Sequence, residues 1–255
     1  MTNSKFVQIT KDQHGREAIM VRVDKTLKEL MDEKPSSRWS AEYWHPKYDE
    51  LSSKDWALLG DFITDGPQGI TYGAIITGKK NKYSESGIPV IGAEQIKVSG
   101  LNLIDVDRTE PNSSWDPERS RVNYGDVLLV RAGVGSLGKT ALYLGKHYVN
   151  IGCFVDRIKF RNISPFYVDI FLKSHYGYKQ IERLNSGVAG TTNISFDQIK
   201  SIKIPQLSTK NQNHIESEYK KMSAYHDKAM EGKKKSDEAA YKKNIETAEK
   251  MLKDL

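Results

Sequence analysis

The stretch Gly133–Thr140, Gly-Val-Gly-Ser-Leu-Gly-Lys-Thr, satisfies the spacing G-x-x-x-x-G-K-[ST]. In nucleotide-hydrolysing enzymes that spacing cradles phosphates, with backbone N–H groups around the anion and the lysine reaching its outer oxygens. The chemistry requires the loop to open a helix, because the helix N-terminus supplies the aligned donors. The residues after Lys139 therefore decide. Thr140-Ala141-Leu142-Tyr143-Leu144 read as alternating strand residues, and Gly145 arrives too early for a helix interior, where glycine costs about 1 kcal/mol relative to alanine. A magnesium-binding carboxylate should also end a second buried strand. The candidate, Asp156, follows Lys139 by 17 residues, short of the roughly 30 that a strand-helix-strand unit takes. The spacing predicts a glycine-rich hairpin instead. Its glycines permit positive φ and close backbone approach, and Arg131 and Lys139 flank it, so it can set a cation on each side of a DNA phosphate.

Other catalytic patterns are missing. No [Asp/Asn/Ser]-Pro-Pro-aromatic motif for base methylation occurs, and Trp115-Asp116-Pro117-Glu118 does not match one. Carboxylate-x-Lys triplets of the nuclease kind stand at Asp32-Glu33-Lys34 and Glu231-Gly232-Lys233. Both lie in charged segments outside any expected buried strand and read as solvated faces. The single cysteine, Cys153, rules out an internal disulfide and a thiolate cluster. The six histidines show no ligand-like spacing, so neither a metal nor a cofactor is expected. A free cysteine suits a reducing cytoplasm. The N-terminus lacks the apolar core of a signal peptide, and no apolar run approaches the roughly 18 residues that span a bilayer.

The net charge of +6 favours a polyanionic partner. Double-stranded DNA needs cations at its backbone and planar or amide side chains at base edges. Four groups qualify. Lys79, Lys80 and Lys82 crowd one loop. Arg119 and Arg121 follow Trp115 and are the foremost candidates for guanine. Arg131 and Lys139 flank the glycine turn. Arg157, Lys159 and Arg161 alternate with Ile158 and Phe160, which would put three cations on one strand face. Gln68, Tyr72 and Asn81 are further candidates for base readout. Asn193 and Ser195 read as structural, through a turn and a helix cap.

These residues must be carried by elements. Short strands are expected at Phe6–Ile9 and Ala18–Val23, then a helix capped by Asp24. Trp39, Tyr43, Trp44 and Tyr48 read as an extended aromatic strap, since Pro46 argues against a long helix. From about 57 to 205 the pattern is strands broken by Gly, Asn and Pro. They are expected at Leu58–Ile63, Ile70–Ile76, Pro89–Ile91, Leu101–Val106, Asp126–Arg131, Leu137–Leu144, Phe154–Phe160 and Ile202–Ile204. Two helices interrupt them, Pro165–His175 and a short one capped by Ser195. From Thr209, another capping-box residue, Ile215, Tyr219, Met222 and Ala229 form a heptad-like stripe on a charged helix. Tyr241, Ile245, Ala248, Leu252 and Leu255 repeat it after a break at Gly232–Lys235. So narrow a stripe wants a partner, or packs on its own domain.

Three ordered segments carry a family resemblance. Gly125–Leu142 (GDVLLVRAGVGSLGKTAL) resembles the signature of the target recognition domain in specificity subunits of type I restriction–modification systems. Ser186–Ile215 (SGVAGTTNISFDQIKSIKIPQLSTKNQNHI) is similar to the end of that domain, and Arg38–Tyr48 (RWSAEYWHPKY) to its lead-in. The resemblance implies an α+β fold: a mostly β target recognition domain with a few helices, followed by a long, coiled-coil-like C-terminal helix. It implies a recognition domain over 38–207 and a dimerisation or spacer helix over 208–255, with 1–37 left as an N-terminal appendage that matches nothing in the family. It also implies a non-catalytic subunit that reads one half of a bipartite DNA site and docks an adenine-N6 methyltransferase and, in some systems, a restriction subunit. Full specificity subunits carry two recognition domains and two helices, whereas this chain has one of each. A homodimer through Ile215, Tyr219, Met222, Tyr241, Ile245 and Leu252 would restore the pair. Two other readings stand beside it: a phosphate-loop NTPase using Gly133–Thr140, and a scaffold or adaptor acting through its C-terminal helices.

Overall fold

The computed structural model describes residues 6–11, 17–22, 26, 43–52, 54–75, 86–104, 106–185 and 193–254. Lys79, Lys80, Asn81 and Lys82 lie outside the described residues, as do Trp39, Leu255 and the helix expected after Asp24. The first two runs pair as an antiparallel hairpin, β1 (Phe6–Lys11) with β2 (Glu17–Arg22).

Short pairs and two larger sheets make up the rest of the β structure. β3 (Ala57–Leu58) pairs with β14 (Lys203–Ile204), and β6 (Ile96–Lys97) with β7 (Gly100–Leu101). The first four-stranded sheet runs β11 (Thr140–Leu142), β10 (Val127–Val130), β13 (Val155–Ile158), β4 (Ile70–Tyr72), antiparallel throughout. The second runs β8 (Arg108–Thr109), β5 (Ile88–Ile91), β12 (Val149–Ile151), β9 (Arg121–Val122), with β5 and β12 parallel. Val127-Leu128-Leu129-Val130 is apolar without alternation because both of its faces are covered. Val127 and Leu129 enter a core shared with the helices, whereas Leu128 and Val130 enter a second core with Ile91, Val122 and Ile151. Isolated bridges tie Ala74 to Gly152 and Ala132 to Asn193.

Several expected strands are shorter. The one expected at Leu58–Ile63 ends at Leu58 and turns into a 3-10 helix, Leu59–Phe62. The one at Leu101–Val106 stops after Leu101, where the Asn102 side chain accepts a bond from the Ile104 amide at 3.1 Å and turns the chain. The aromatic lead-in is not an extended strap over its described part. Pro46–Tyr48 is a 3-10 turn and α1 (Asp49–Ser52) follows, because His45 Nδ1 accepts from the Lys47 amide and Pro46 starts the turn.

α2 (Pro165–Lys173) begins at its proline as expected, but Ser174 then caps a second helix, α3 (His175–Leu184). The tight junction depends on Gly177, where a Cβ would come within 2.1 Å of the Phe171 carbonyl. The capping box at Ser195 is present on α4 (Phe196–Lys200). α5 (Thr209–Lys234) is capped by Ser208, one residue before the expected position. Gln212 instead spans inward, accepting from the Ser164 amide at 2.7 Å and donating to the Leu207 carbonyl at 2.9 Å.

α6 (Glu238–Asp254) folds back along α5 through a three-residue turn in which Ser236 takes φ 57° and Asp237 accepts from the Ala240 amide. Much of the stripe is covered within the chain: Tyr219, Met222 and Ala248 are buried in the first core, and Ile215 and Leu252 pack against its edge. The Tyr219 hydroxyl donates to Asp169 Oδ2 at 2.6 Å, an oxygen that also accepts from Lys173. His226 ties α5 to the β6–β7 hairpin, bonding Ser99 Oγ and the Leu101 carbonyl at 2.9 Å each. The observed architecture is α+β, a largely β body with helices packed on it and a long C-terminal helical pair.

Candidate nucleic-acid interface

The glycine stretch is a hairpin. β10 and β11 pair in the register Val127–Leu142, Leu128–Ala141, Leu129–Thr140, extended by bonds between Val130 and both Gly138 and Lys139. Within the turn, the Ser136 and Leu137 amides donate to the Gly133 carbonyl. Gly133, Gly135 and Gly138 take φ of 120°, 75° and 79°, which only glycine adopts readily. A strand follows Lys139, so no helix N-terminus stands where a phosphate loop needs one. Lys139 is exposed, with Nζ 3.5 Å from Ser136 Oγ. The turn borders a cleft of about 1040 Å³ whose lining also includes Tyr178, Ile245 and Leu252.

Two arginines gather around Tyr72. β4 ends at Tyr72, and the Tyr72 ring lies under two guanidinium groups, Arg119 at 4.7 Å and Arg131 at 5.4 Å. Arg131 also lies over Phe196 at 5.6 Å, and the two rings are 6.2 Å apart. Arg119 Nη1 donates to the Tyr72 and Gly73 carbonyls at 3.0 and 3.3 Å. Arg131 Nε donates to Asn193 Oδ1 at 3.3 Å. The backbone fixes this arrangement, since the Ile194 amide donates to the Arg131 carbonyl and the Arg131 amide to the Phe154 carbonyl. Phe154 is itself 60% exposed. Beneath Arg131, Asp156 is fully buried, 3.9 Å from Nε. Burial pushes its carboxyl up to about 7, against the pull of Arg131.

The remaining expected contacts separate. Arg157 is buried, so the three-cation strand face is not available as a unit. Its Nη1 donates to the Arg121 carbonyl at 2.8 Å, and its Nη2 to the Gln68 carbonyl and Oε1 at 2.9 and 2.8 Å. Alternation along the strand misled because the other side of that face meets β9 and the Gln68 turn. Lys159 is half-buried, and Arg161 is exposed but held by both oxygens of Asp65 at 2.5 and 2.9 Å. Arg121 grips both oxygens of Asp116 at 2.9 Å and lies over Tyr148. Burial alone would raise the Asp116 carboxyl, but bonds from Arg121, the Asn112 amide and Asn150 outweigh it and hold the group below its ordinary range. Gln68 is exposed.

Thus Tyr72, Arg119 and Arg131 stand together, while Arg157 is buried among its own acceptors and Arg121, partly exposed, is paired with Asp116. Phe196 joins the cluster without having been singled out for binding, and Asp156, weighed in the sequence only as a magnesium ligand for a phosphate loop, joins it beneath Arg131. Ser195-Phe196 next to a capping box was the available signal for the first; a lone Asp in an apolar strand was the signal for the second. Among the described residues no cluster of His, Cys, Asp and Glu could hold a metal, and no described helix is long and apolar enough to cross a membrane.

No protein-family model matches the chain, and no curated protein matches it. Among solved structures, the chain is similar to the type I restriction–modification system S subunit from M. genitalium, with a TM-score of 0.44 and 13% identity over 69% of this chain and 40% of that one. It is also similar to the HsdS subunit from Thermoanaerobacter tengcongensis, with a TM-score of 0.43 and 15% identity over 82% of this chain and 46% of that one. The chain thus spans less than half the length of either.

Proposed function

We propose that this chain is a sequence-specific DNA recognition subunit of a type I-like restriction–modification complex, reading one half-site and leaving chemistry to an adenine-N6 methyltransferase that it docks. The observation that carries the reading is the Arg119–Tyr72–Arg131–Phe196 stack. Two half-buried guanidinium groups are held on aromatic rings, Arg119 by backbone carbonyls and Arg131 by the Asn193 side chain, the form in which arginine reads guanine edges and phosphates. The order of the three sequence segments and the net charge of +6 support it. Lys79, Lys80 and Lys82 follow Tyr72 within ten residues in the sequence and are assigned to phosphates in this reading, as is Lys139. The free Cys153 fits action in the cytoplasm. Pairing of two copies through the outer faces of α5 and α6 would present two half-sites related by a two-fold axis. A restriction subunit would join the same complex.

Selection from random duplexes, with and without a co-purified methyltransferase subunit, tests this. Enrichment of one short motif, arranged as an inverted repeat if the chain dimerises, is the expected result. A chain that dimerises yet retains no duplex, even with a methyltransferase bound, overturns the reading in favour of a scaffold.

A further inference from the structure

Asp156 has no evident structural use. It lies at the centre of the first sheet, across from Leu129 on β10 and Tyr72 on β4. Its side chain is fully buried, and neither carboxylate oxygen has a hydrogen-bond partner. Buried carboxylates are ordinarily paired or hydrogen-bonded, so an unpaired one calls for a reason. The one cation within ion-pair distance among the described residues is Arg131, at 3.9 Å, too far for a hydrogen bond. Arg131 in turn is 21% exposed and belongs to the stack on Tyr72 and Phe196. Of the charged groups near this end of the sheet, Arg119 lies on the Tyr72 ring and bonds backbone carbonyls. Tyr72 itself presents its ring to the two arginines.

We infer that Asp156 is a positioning residue for Arg131, and that it takes up a proton when Arg131 is drawn onto a nucleic-acid phosphate. In the free chain the carboxylate and guanidinium attract one another across 3.9 Å. A phosphate that engages the guanidinium places a second anion beside the cation that Asp156 depends on. An isolated buried carboxylate does not stay ionised, so a proton moves from solvent to Asp156, and net charge is conserved by the matching loss from buffer. Burial already raises this carboxyl to about 7, so the exchange falls where small changes in environment move it. The inference rests on the DNA-binding reading and deepens it: binding of this chain to DNA is linked to protons through a group that touches no DNA.

Isothermal titration of a 30-base-pair random-sequence duplex into the full chain near pH 7, in two buffers of different ionisation enthalpy, reads the proton directly. The wild-type chain is expected to take up protons on binding and to bind at least about threefold more tightly at pH 6 than at pH 8, with tenfold per pH unit the ceiling for one proton. Asp156→Asn should bind with a smaller uptake and a flatter pH profile. Arg131→Gln, which leaves the carboxylate in place, should lose the same increment of uptake. This second variant keeps the test decisive if the first does not fold. Duplex binding with the same proton uptake in wild type and both folded variants overturns the role of Asp156 and leaves DNA binding standing. No duplex binding by the wild-type chain at low salt overturns both.

Discussion

Arg157 and Arg119 show how one side-chain type divides between fold and surface. Arg157 is 1% exposed and satisfies three acceptors, on the Gln68 turn and at Arg121. Replacing it by Met leaves those acceptors dry and unpaired, so Arg157→Met should lower stability by about 2–4 kcal/mol. Denaturant unfolding checks this. Arg119→Ala removes a half-buried cation from the Tyr72 stack and should leave the melting temperature nearly unchanged. It should weaken duplex binding and lower the slope of log affinity against log salt by about one if Arg119 meets a phosphate. Asp156 makes a separate prediction about stability. Its carboxyl sits at about 7 in the fold against 3.8 ordinarily, so the folded chain holds the proton more tightly than the unfolded chain. Its contribution is therefore fully present below about pH 4 and is lost as pH rises to about 7. The melting temperature of Asp156→Asn should gain on that of wild type between pH 5 and pH 8, and melts across that range test it. Charge and spacing in the sequence mark all of these residues as candidates, but not which are buried. Burial of Arg157 is decided by β9, whose two residues carry no strand pattern of their own.

At the scale of elements, the glycine hairpin was legible and the helical junction was not. Alternation after Lys139 and the early Gly145 rule out a helix there, and β11 is what the chain forms. Gly138 combines φ 79° with a site where a Cβ would meet Ile181 Cγ2 at 2.7 Å. Gly138→Ala should therefore destabilise by about 1–3 kcal/mol. The wild-type chain and Lys139→Ala should each keep the same melting temperature with or without magnesium-ATP, whereas a nucleotide-binding loop would show a ligand-dependent rise in wild type that the variant loses. α3 escaped notice because His175-Tyr176-Gly177-Tyr178-Lys179-Gln180 carries a glycine in its first turn and places few apolar residues before Ile181. Its register is set by tertiary contacts: Gln180 donates to and accepts from the backbone of Lys203, and Trp56 lies edge-on to Tyr176. Long-range partners of that kind leave no local periodicity.

Across the whole molecule, the C-terminal stripe was legible as apolar spacing, but its occupant was not. The spacing fits an intermolecular seam and an internal one equally, and the turn at Ser236 brings α6 back so that α5, α6 and the body share one core. Tyr219 anchors that core through Asp169, and Tyr219→Phe would leave this buried carboxylate with only Lys173. A loss of about 1–3 kcal/mol is expected, seen as earlier unfolding in urea. The bracket around residues 76–85 works differently. Ala74 is bridged to Gly152 just before them, and Ile88 is paired with Thr109 just after. Both anchors are backbone pairs, the first an isolated bridge and the second part of the second sheet, and the buried cores are made largely elsewhere in the chain. Insertion or replacement within residues 76–85 is therefore expected to leave both pairings, and the cores built elsewhere in the chain, in place.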